Sequence, residues 1–250
     1  TAGSEPCVLD IEGVSVGLTI CEDIWNPDPA AGAKAAGAEL LINLNASPFH
    51  RGKRRERWDL VSQRAVSNAF PIVYVNQVGG QDELVFDGGS FAVNADGELA
   101  AVAPEFEDGA WWLDIDTSAG VVITDGPHSE PLDELAAIWE ALVVGVRDYV
   151  NKNGFPGVVL GLSGGIDSAV TVALAVDALG AERVHAVMMP FRYTASMSIE
   201  DAEEEARALN IAYRSISIEP LYEGFMASLA DEFSGLPANI TEENLQARCR

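Results

Sequence analysis

Short apolar runs separated by stretches of helical period set the rhythm of this chain. VSVGLTI (Val14–Ile20), LLINLNA (Leu40–Ala46) and PIVYVNQV (Pro71–Val78) read as strands. The last two are near-continuously apolar, as expected of strands covered on both faces. Between them, PAAGAKAAGA (Pro29–Ala38) predicts a small-residue helix. RERWDLVSQRAVSNAF (Arg55–Phe70) predicts another, with Trp58, Val61, Ala65 and Ala69 on one face. GGSFAVNADGEL (Gly88–Leu99) predicts a hairpin turning at Ala95-Asp96-Gly97, and AWWLDID (Ala110–Asp116) a further strand. This β-α-β-α-β-β order predicts a layered sheet with helices.

The pattern then weakens over SAGVVITDGPHSEP, where Gly and Pro punctuate a predicted linker. It restarts with PLDELAAIWEALVVGVRDYVNKNG, a predicted amphipathic helix. Leu132, Leu135, Trp139, Leu142, Val146 and Tyr149 mark its expected apolar face, and Gly154 its C-cap. Strands at Val158–Leu162, Val184–Met189 and Tyr213–Ile218 alternate with helices at Ser168–Leu179, Ser198–Leu209 and Leu221–Leu229. Ser198 with Asp201 reads as a capping box, and Thr241 as the N-cap of a last helix. Alternation of this kind predicts βαβ units on a parallel sheet. The expected division is therefore residues 1–117, a linker at 118–130, and residues 131–250.

Composition narrows the partners. The 250 residues carry 15 basic and 39 acidic side chains, a net charge of −24. Such a balance argues against nucleic-acid and anionic-membrane binding. A nucleotide is still acceptable, held by backbone amides and a metal ion. Three widely spaced cysteines and three scattered histidines predict neither a disulfide framework nor a zinc site. With no apolar run near the ~20 residues of a membrane span and no visible signal peptide, the expected compartment is a reducing cytoplasm. The chain opens in what reads as mid-domain and stops within a helical pattern, so a fragment truncated at both ends is expected.

SGGIDS (Ser163–Ser168) follows an apolar strand and opens a helix. Gly164 and Gly165 let the backbone turn sharply and approach a ligand. Their amides, with the helix N-terminus, suit an anion. Ser163 and Ser168 add hydroxyls. Asp167 is compatible with phosphate when Mg²⁺ lies between them. An unliganded Gly-rich turn is the competing reading of the bare Ser-Gly-Gly. The loop is not a Walker A motif, because no lysine follows. SGGIDS resembles the pyrophosphate loop of the PP-loop ATP pyrophosphatases, with the adenine nucleotide alpha hydrolase-like fold. MMPFRYTASMSIEDA (Met188–Ala202) and EENLQARCR (Glu242–Arg250) narrow the resemblance to NAD⁺ synthetases. The resemblance implies ATP contacts at Gly161, Leu162, Ser163, Gly164, Gly165, Ile166, Asp167 and Ser168. It also implies Mg²⁺ at Asp167 and a deamido-NAD⁺ contact at Asn244.

Cys21 stands where VSVGLTI ends and CEDIW begins. An inert buried cysteine and a nucleophile at a strand-end elbow are both open at this point. GLTICEDIW followed by LLINLNASPFHRGKRRERW resembles the nitrilase-type glutaminase domain of glutamine-dependent NAD⁺ synthetases. The resemblance implies Cys21 as nucleophile of a Glu-Lys-Cys triad, with Ser47 and Lys53 contacting glutamine. Lys53 in RGKRRER also reads as part of a solvated basic face. FDGGS (Phe86–Ser90) fits the family as a structural hairpin near the site. The triad's Glu and Lys precede the cysteine in that family, and no lysine precedes Cys21 here. Glutaminase activity is therefore expected of a parent protein and not of this stretch alone.

The combined expectation is an α/β chain holding a partial nitrilase-like α-β-β-α layered domain and a partial PP-loop domain with a parallel sheet. Its expected reaction is ATP-dependent amidation of deamido-NAD⁺ through an adenylate, with ammonia from glutamine. A homo-oligomer is expected from the family, with no nucleic-acid or membrane partner. Two other readings stay open. One is another PP-loop amidotransferase or adenylylating enzyme, tRNA-modifying enzymes included, against which the acidic charge weighs. The other is a nucleotide-binding module with a vestigial amidase domain.

Overall fold

A computed structural model describes residues 3, 5–232, 234, 235, 237 and 240–250. The chain divides into two compact units, Thr1–Tyr149 and Val150–Arg250.

The first unit runs β1 (Cys7–Ile11), β2 (Val14–Ile20), a 3-10 turn (Cys21–Trp25), α1 (Pro27–Ala35), β3 (Leu40–Asn45) and α2 (Lys53–Asn68). It continues through β4 (Ile72–Asn76), β5 (Val78–Gln81), β6 (Leu84–Asp87), β7 (Phe91–Val93), β8 (Leu99–Val102), β9 (Asp114–Asp116) and β10 (Val122–Asp125). Most of α3 (Glu134–Lys152) belongs to it as well.

One six-stranded sheet, in the order β1-β2-β3-β4-β7-β8, organises this unit. Its central strands β2, β3 and β4 are parallel, and the flanking pairs are antiparallel. Strand alternation sends Leu41, Ile72 and Tyr74 to one face, where Ala30 and Ala33 of α1 and Val61 and Ala65 of α2 bury them. The other face carries Leu9, Ile20, Leu44 and Val75, all well exposed. The β7–β8 hairpin turns where expected, with Gly97 N–H donating to Asn94 O. β1 and the β5–β6 hairpin were not expected from the pattern. Of the expected strand Ala110–Asp116, only Asp114–Asp116 pairs. Within 118–130, β10 pairs with β9 and buries Ile123.

The amphipathic helix forms, but only half of its expected face is covered: Leu132, Trp139 and Val146 are half-buried. Leu135, Leu142 and Tyr149 are exposed, and the buried stripe is Ala137, Ala141 and Val144, packed with Phe106, Phe49 and Val85. Small side chains allow a closer approach than the bulky ones that dominate a hydrophobic pattern. At its C-terminus Phe155 N–H donates to Val150 O and Gly154 N–H to Asn151 O, the paired bonds of a Schellman cap at Gly154.

The second unit holds β11 (Val158–Gly161), α4 (Ile166–Leu179), β12 (Val184–Met188), α5 (Ser196–Ala208), β13 (Ala212–Ser215), α6 (Glu219–Ser228) and α7 (Ile240–Cys249). β11, β12 and β13 form a parallel sheet in that order, as the alternation predicts. Two cap assignments are corrected. The N-cap of α5 is Ala195, so Ser198 lies inside the first turn and no side chain caps the helix. Thr241 likewise lies within α7, which begins at Ile240.

Candidate active sites

Cys21 sits at the end of β2, where the chain leaves the sheet for the 3-10 turn. Its φ is +48°, a left-handed conformation that costs a residue bearing Cβ. The turn is held from two sides. Ile20 N–H donates to Asp23 Oδ2 at 2.8 Å. Arg64 of α2 donates from Nε to Ile24 O at 3.1 Å and from Nη2 to Trp25 O at 2.8 Å. Backbone strain of this kind at a strand-end cysteine marks a position fixed by its surroundings.

The strain yields a stability test. Cys21→Gly is expected to be more stable than Cys21→Ala by about 0.5–1 kcal/mol, because glycine accepts positive φ. Chemical denaturation of the two variants checks this; equal stabilities would show that the elbow is unstrained.

Beside the elbow lies a buried polar cluster. Thr19, Asn43, Asn45, Ser47, Arg57, Asn76 and Asp87 are the buried polar and charged side chains among the described residues, and all belong to this unit. Register explains part of the gathering. Thr19 lies opposite Asn43, and Asn43 opposite Tyr74; one two-residue step further along, Asn45 faces Asn76. Arg57 Nη1 donates to both Asp87 oxygens, at 2.9 and 2.8 Å. Its Nη2 donates to Ser47 O at 2.8 Å and Pro48 O at 3.1 Å, and its Nε to Ser47 Oγ at 3.2 Å. Asn76 Oδ1 accepts from Ser47 N–H at 2.9 Å. A charge this deep is tolerated only when paired and fully hydrogen-bonded, and Arg57 meets both conditions. Burial pushes the Tyr74 phenol above its ordinary value, while Ser47 and the Arg57 guanidinium act in the opposite sense.

Ser47 is buried on the loop clasped by Arg57. Lys53 opens α2 with its Nζ 3.9 Å above the Trp25 ring, at the end of the cysteine's own turn. It also pairs with Glu56 at 3.0 Å, and that hydrogen bond holds the Glu56 carboxyl below its ordinary value. The reading of Lys53 as part of a solvated basic face does not fit this packing. Asp87 of FDGGS is the buried partner of Arg57. Sequence reasoning missed Arg57, although it shares a helix face with Val61 and Ala65, the apolar stripe of α2. An arginine on such a stripe is the signal that was available.

The second site lies at the C-terminal edge of β11. Gly164 has φ +76°, and a Cβ built there would overlap the Ser198 carbonyl, so the loop runs directly against the first turn of α5. Two serines brace the loop. Ser163 N–H donates to Ser168 Oγ at 3.1 Å, the hydroxyls lie 3.0 Å apart, and Ser168 O–H donates to Gly165 O at 2.8 Å. The residues from Ser163 to Asp167 are mostly exposed, and α4 opens with a glycine N-cap and no side-chain cap. Its first amides therefore remain open to an anion.

Gly161, Leu162 and Ser163 line a cavity of about 280 Å³ with Met188, Met189, Thr194 and Arg250. Gly164, Gly165, Ile166, Asp167 and Ser168 are not among its lining residues. Asn244 lines a different cleft, between α6 and α7, with Met226 and Leu229. No group of three or more metal-ligating side chains occurs among the described residues. Thr194 and Arg250 were not anticipated; no local motif marks them, since the fold alone brings them to this edge.

Comparison with known proteins agrees with the geometry. Residues 2–123 match the carbon-nitrogen hydrolase family, and residues 138–250 match NAD synthase. The chain is 48% identical to a glutamine-dependent NAD(+) synthetase of Xanthomonas campestris pv. campestris, over 98% of this chain and 44% of that protein. A glutamine-dependent NAD⁺ synthetase from Acinetobacter baumannii, solved in complex with ADP, superimposes with a TM-score of 0.92 at 44% identity. It covers all of this chain, which in turn covers 47% of it. A Cytophaga hutchinsonii glutamine-dependent NAD(+) synthetase, 21% identical, shares the fold at a TM-score of 0.78, over 98% of this chain and 46% of its own. The chain spans about half the length of the curated relatives it matches. The chain thus carries a carbon-nitrogen hydrolase match followed by an NAD synthase match, and over nearly all of its length it is similar to glutamine-dependent NAD⁺ synthetases.

Proposed function

We propose that this chain is the part of a glutamine-dependent NAD⁺ synthetase that carries the glutaminase nucleophile and the pyrophosphate loop. The observation that carries the reading is the coexistence of the strained Cys21 elbow and the Gly164-built loop in one chain. In this reading the Cys21 sulfur attacks the glutamine amide carbon, forming a thioester and releasing ammonia. Water then hydrolyses the thioester to glutamate and restores the thiol. Ser47 and Lys53 contact the glutamine.

In the second unit a carboxylate oxygen of deamido-NAD⁺ attacks the α-phosphorus of ATP. The bond to the β-phosphate breaks, and pyrophosphate leaves. Ammonia displaces AMP from the acyl adenylate and yields the amide. The backbone from Gly161 to Ser168 cradles the phosphates, because amides at a helix N-terminus stabilise the charge gathering on the leaving group. Asn244 contacts deamido-NAD⁺.

Asp167 is the exposed carboxylate in the first turn of α4. A single carboxylate there fits an ion whose other ligands are phosphate oxygens and water. Mg²⁺ bound there would neutralise phosphate charge. We assign residues 1–117 to the glutaminase part and 131–250 to the synthetase part, with 118–130 between them; the family matches, which end at 123 and resume at 138, support this. Among the described residues no helix is long and apolar enough to cross a membrane. A cytoplasmic homo-oligomer is the arrangement we infer from the family.

The test uses the complete protein with deamido-NAD⁺ and Mg-ATP, and either glutamine or ammonium as nitrogen donor. Cys21→Ala is expected to lose glutamine-dependent NAD⁺ formation by at least about 10³-fold, as for removal of a covalent nucleophile, and to retain the ammonium-dependent rate. Unimpaired glutamine use would remove Cys21 from the mechanism. No NAD⁺ from either donor with the unaltered protein would remove the synthetase reading.

A further inference from the structure

Thr194 and Arg250 line the cavity at the C-terminal edge of β11, and neither takes part in the reaction proposed above. Their chemistry differs. Thr194 Oγ1 is turned back on its own loop, where it accepts from Phe191 N–H at 2.9 Å. Arg250 is the one charged side chain among the described lining residues, in a chain whose net charge is −24.

Helix period places it there. In α7, Gln246 and Arg250 are four positions apart and share a face. Asn244 and Arg248 share another, which lines the cleft with α6. The guanidinium is held from two sides. Its Nε donates to Met189 O at 3.3 Å. With the Gln246 amide oriented oxygen-first, Nη1 and Nη2 donate to its Oε1 at 3.2 and 3.0 Å. Both partners are neutral, so neither offsets the charge. Arg192, on the loop that follows β12, is by contrast paired with Glu219 and Glu223. A guanidinium has five N–H donors, and these three bonds leave two of them for the cavity that Ser163 also lines.

The cavity's place along the loop selects the phosphate. Gly164 to Ser168, at the N-terminus of α4, do not line it. It therefore lies on the strand side of the loop, away from the amides that suit the departing pyrophosphate. What remains of ATP on that side is the α-phosphate and its nucleoside. The cavity's volume of about 280 Å³ suits that part and not a whole triphosphate, since small-molecule sites start at roughly 300 Å³.

We propose that Arg250 is a nucleotide-contacting residue of the synthetase site: its guanidinium, fixed by Met189 O and Gln246, donates to the α-phosphate of ATP and keeps that contact in the acyl adenylate and in AMP. The inference rests on the ATP reading of the loop given above. A cation here lowers the repulsion between the attacking carboxylate and the phosphate. Arginine suits the place better than lysine, because its planar fork can keep both anchors and still present N–H groups to an oxygen.

The experiment titrates the complete protein and its Arg250→Met and Arg250→Lys variants with AMP, adenosine and inorganic pyrophosphate, with Mg²⁺ present. It also follows ammonium-dependent NAD⁺ formation against ATP concentration. Arg250→Met is expected to weaken AMP binding and to raise KM for ATP by about tenfold, the low end for a hydrogen bond to a charged group, because the guanidinium is exposed. Adenosine, which lacks the phosphate, and pyrophosphate, which the loop amides hold, should bind as before. Arg250→Lys should recover part of the AMP affinity, since it keeps the charge without the fork.

Unchanged AMP binding in Arg250→Met would overturn the inference. So would an equal loss of adenosine affinity, which would put the guanidinium on the base, and a loss of all three ligands, which would make Arg250 a brace of the loop. An unaltered protein that binds pyrophosphate but not AMP would overturn it as well. If the unaltered protein binds none of the three and makes no NAD⁺ from ATP, the ATP reading fails first and this inference falls with it.

Discussion

Gly164→Ala is expected to abolish adenylyl transfer and to destabilise the Val150–Arg250 unit by about 2–5 kcal/mol. Two effects add. At φ +76° a Cβ costs about 1–2 kcal/mol. The same Cβ would overlap the Ser198 carbonyl, and that atom is backbone in the first turn of α5, so it cannot swing aside. Overpacking of this kind costs about 1–3 kcal/mol. The loop would have to leave α5, and the amides proposed to face phosphate would move with it. Gly165→Ala is the control. Its φ is −100°, and a Cβ there meets only Ser163 Oγ at 3.4 Å, so a small stability change is expected. Denaturant unfolding reads the stability, and pyrophosphate exchange into ATP dependent on deamido-NAD⁺ reads the chemistry. If both alanine variants behave alike, the close approach to Ser198 does not shape the loop.

Arg57→Met is expected to destabilise the first unit by about 3–5 kcal/mol, the usual consequence of stranding one partner of a buried ion pair. Asp87 would remain 2% exposed with no countercharge, Pro48 O would lose its donor, and Ser47 O would keep only the longer bond from Asn76 Nδ2. The melting temperature should fall by about 6–20 °C. Adding Asp87→Asn to Arg57→Met should recover part of the loss, because the uncompensated charge is gone. Glutamine use should not recover, since Ser47 then keeps only its bonds to Asn76 and loses those to Arg57. Stability within about 1 kcal/mol of the unaltered protein in Arg57→Met alone would show that the pair is hydrated and does not hold the loop.

The buried network and the expected α3 face mark opposite limits of sequence reading. Arg57 and Asp87 are 30 positions apart and lie in segments read as a basic run and a hairpin. Neither segment alone tells which charge is solvated, because the pairing is a property of the folded chain. In α3 the bulky stripe of Leu135, Leu142 and Tyr149 outweighs Ala137 and Ala141 in any hydrophobic pattern. The structure buries the alanines because the β5–β6 hairpin comes very close. A Cβ on Gly80 would lie 3.2 Å from the Gly145 Cα, and Gly80 N–H donates to Asp148 Oδ2 at 2.7 Å. Hydrophobicity measures what a side chain gains on leaving water; close packing selects what fits, and here the smaller residues fit. The β5–β6 hairpin itself went unread for a related reason: VGGQ has too little bulk to show a strand period.

By itself the sequence determined the order of strands and helices in the second unit, the parallel sheet they make, the loop Ser163–Ser168 and the strand-end place of Cys21. Each of these depends on residues adjacent in the chain, where backbone preference and apolar period act locally. The tertiary structure alone decided which helix face is buried, that Lys53 lies over Trp25, and that Arg57 clasps Ser47 against Asp87. It also brought Thr194 and Arg250 to the cavity edge. These depend on contacts between distant segments, whose partners exist only once the sheet has set their register.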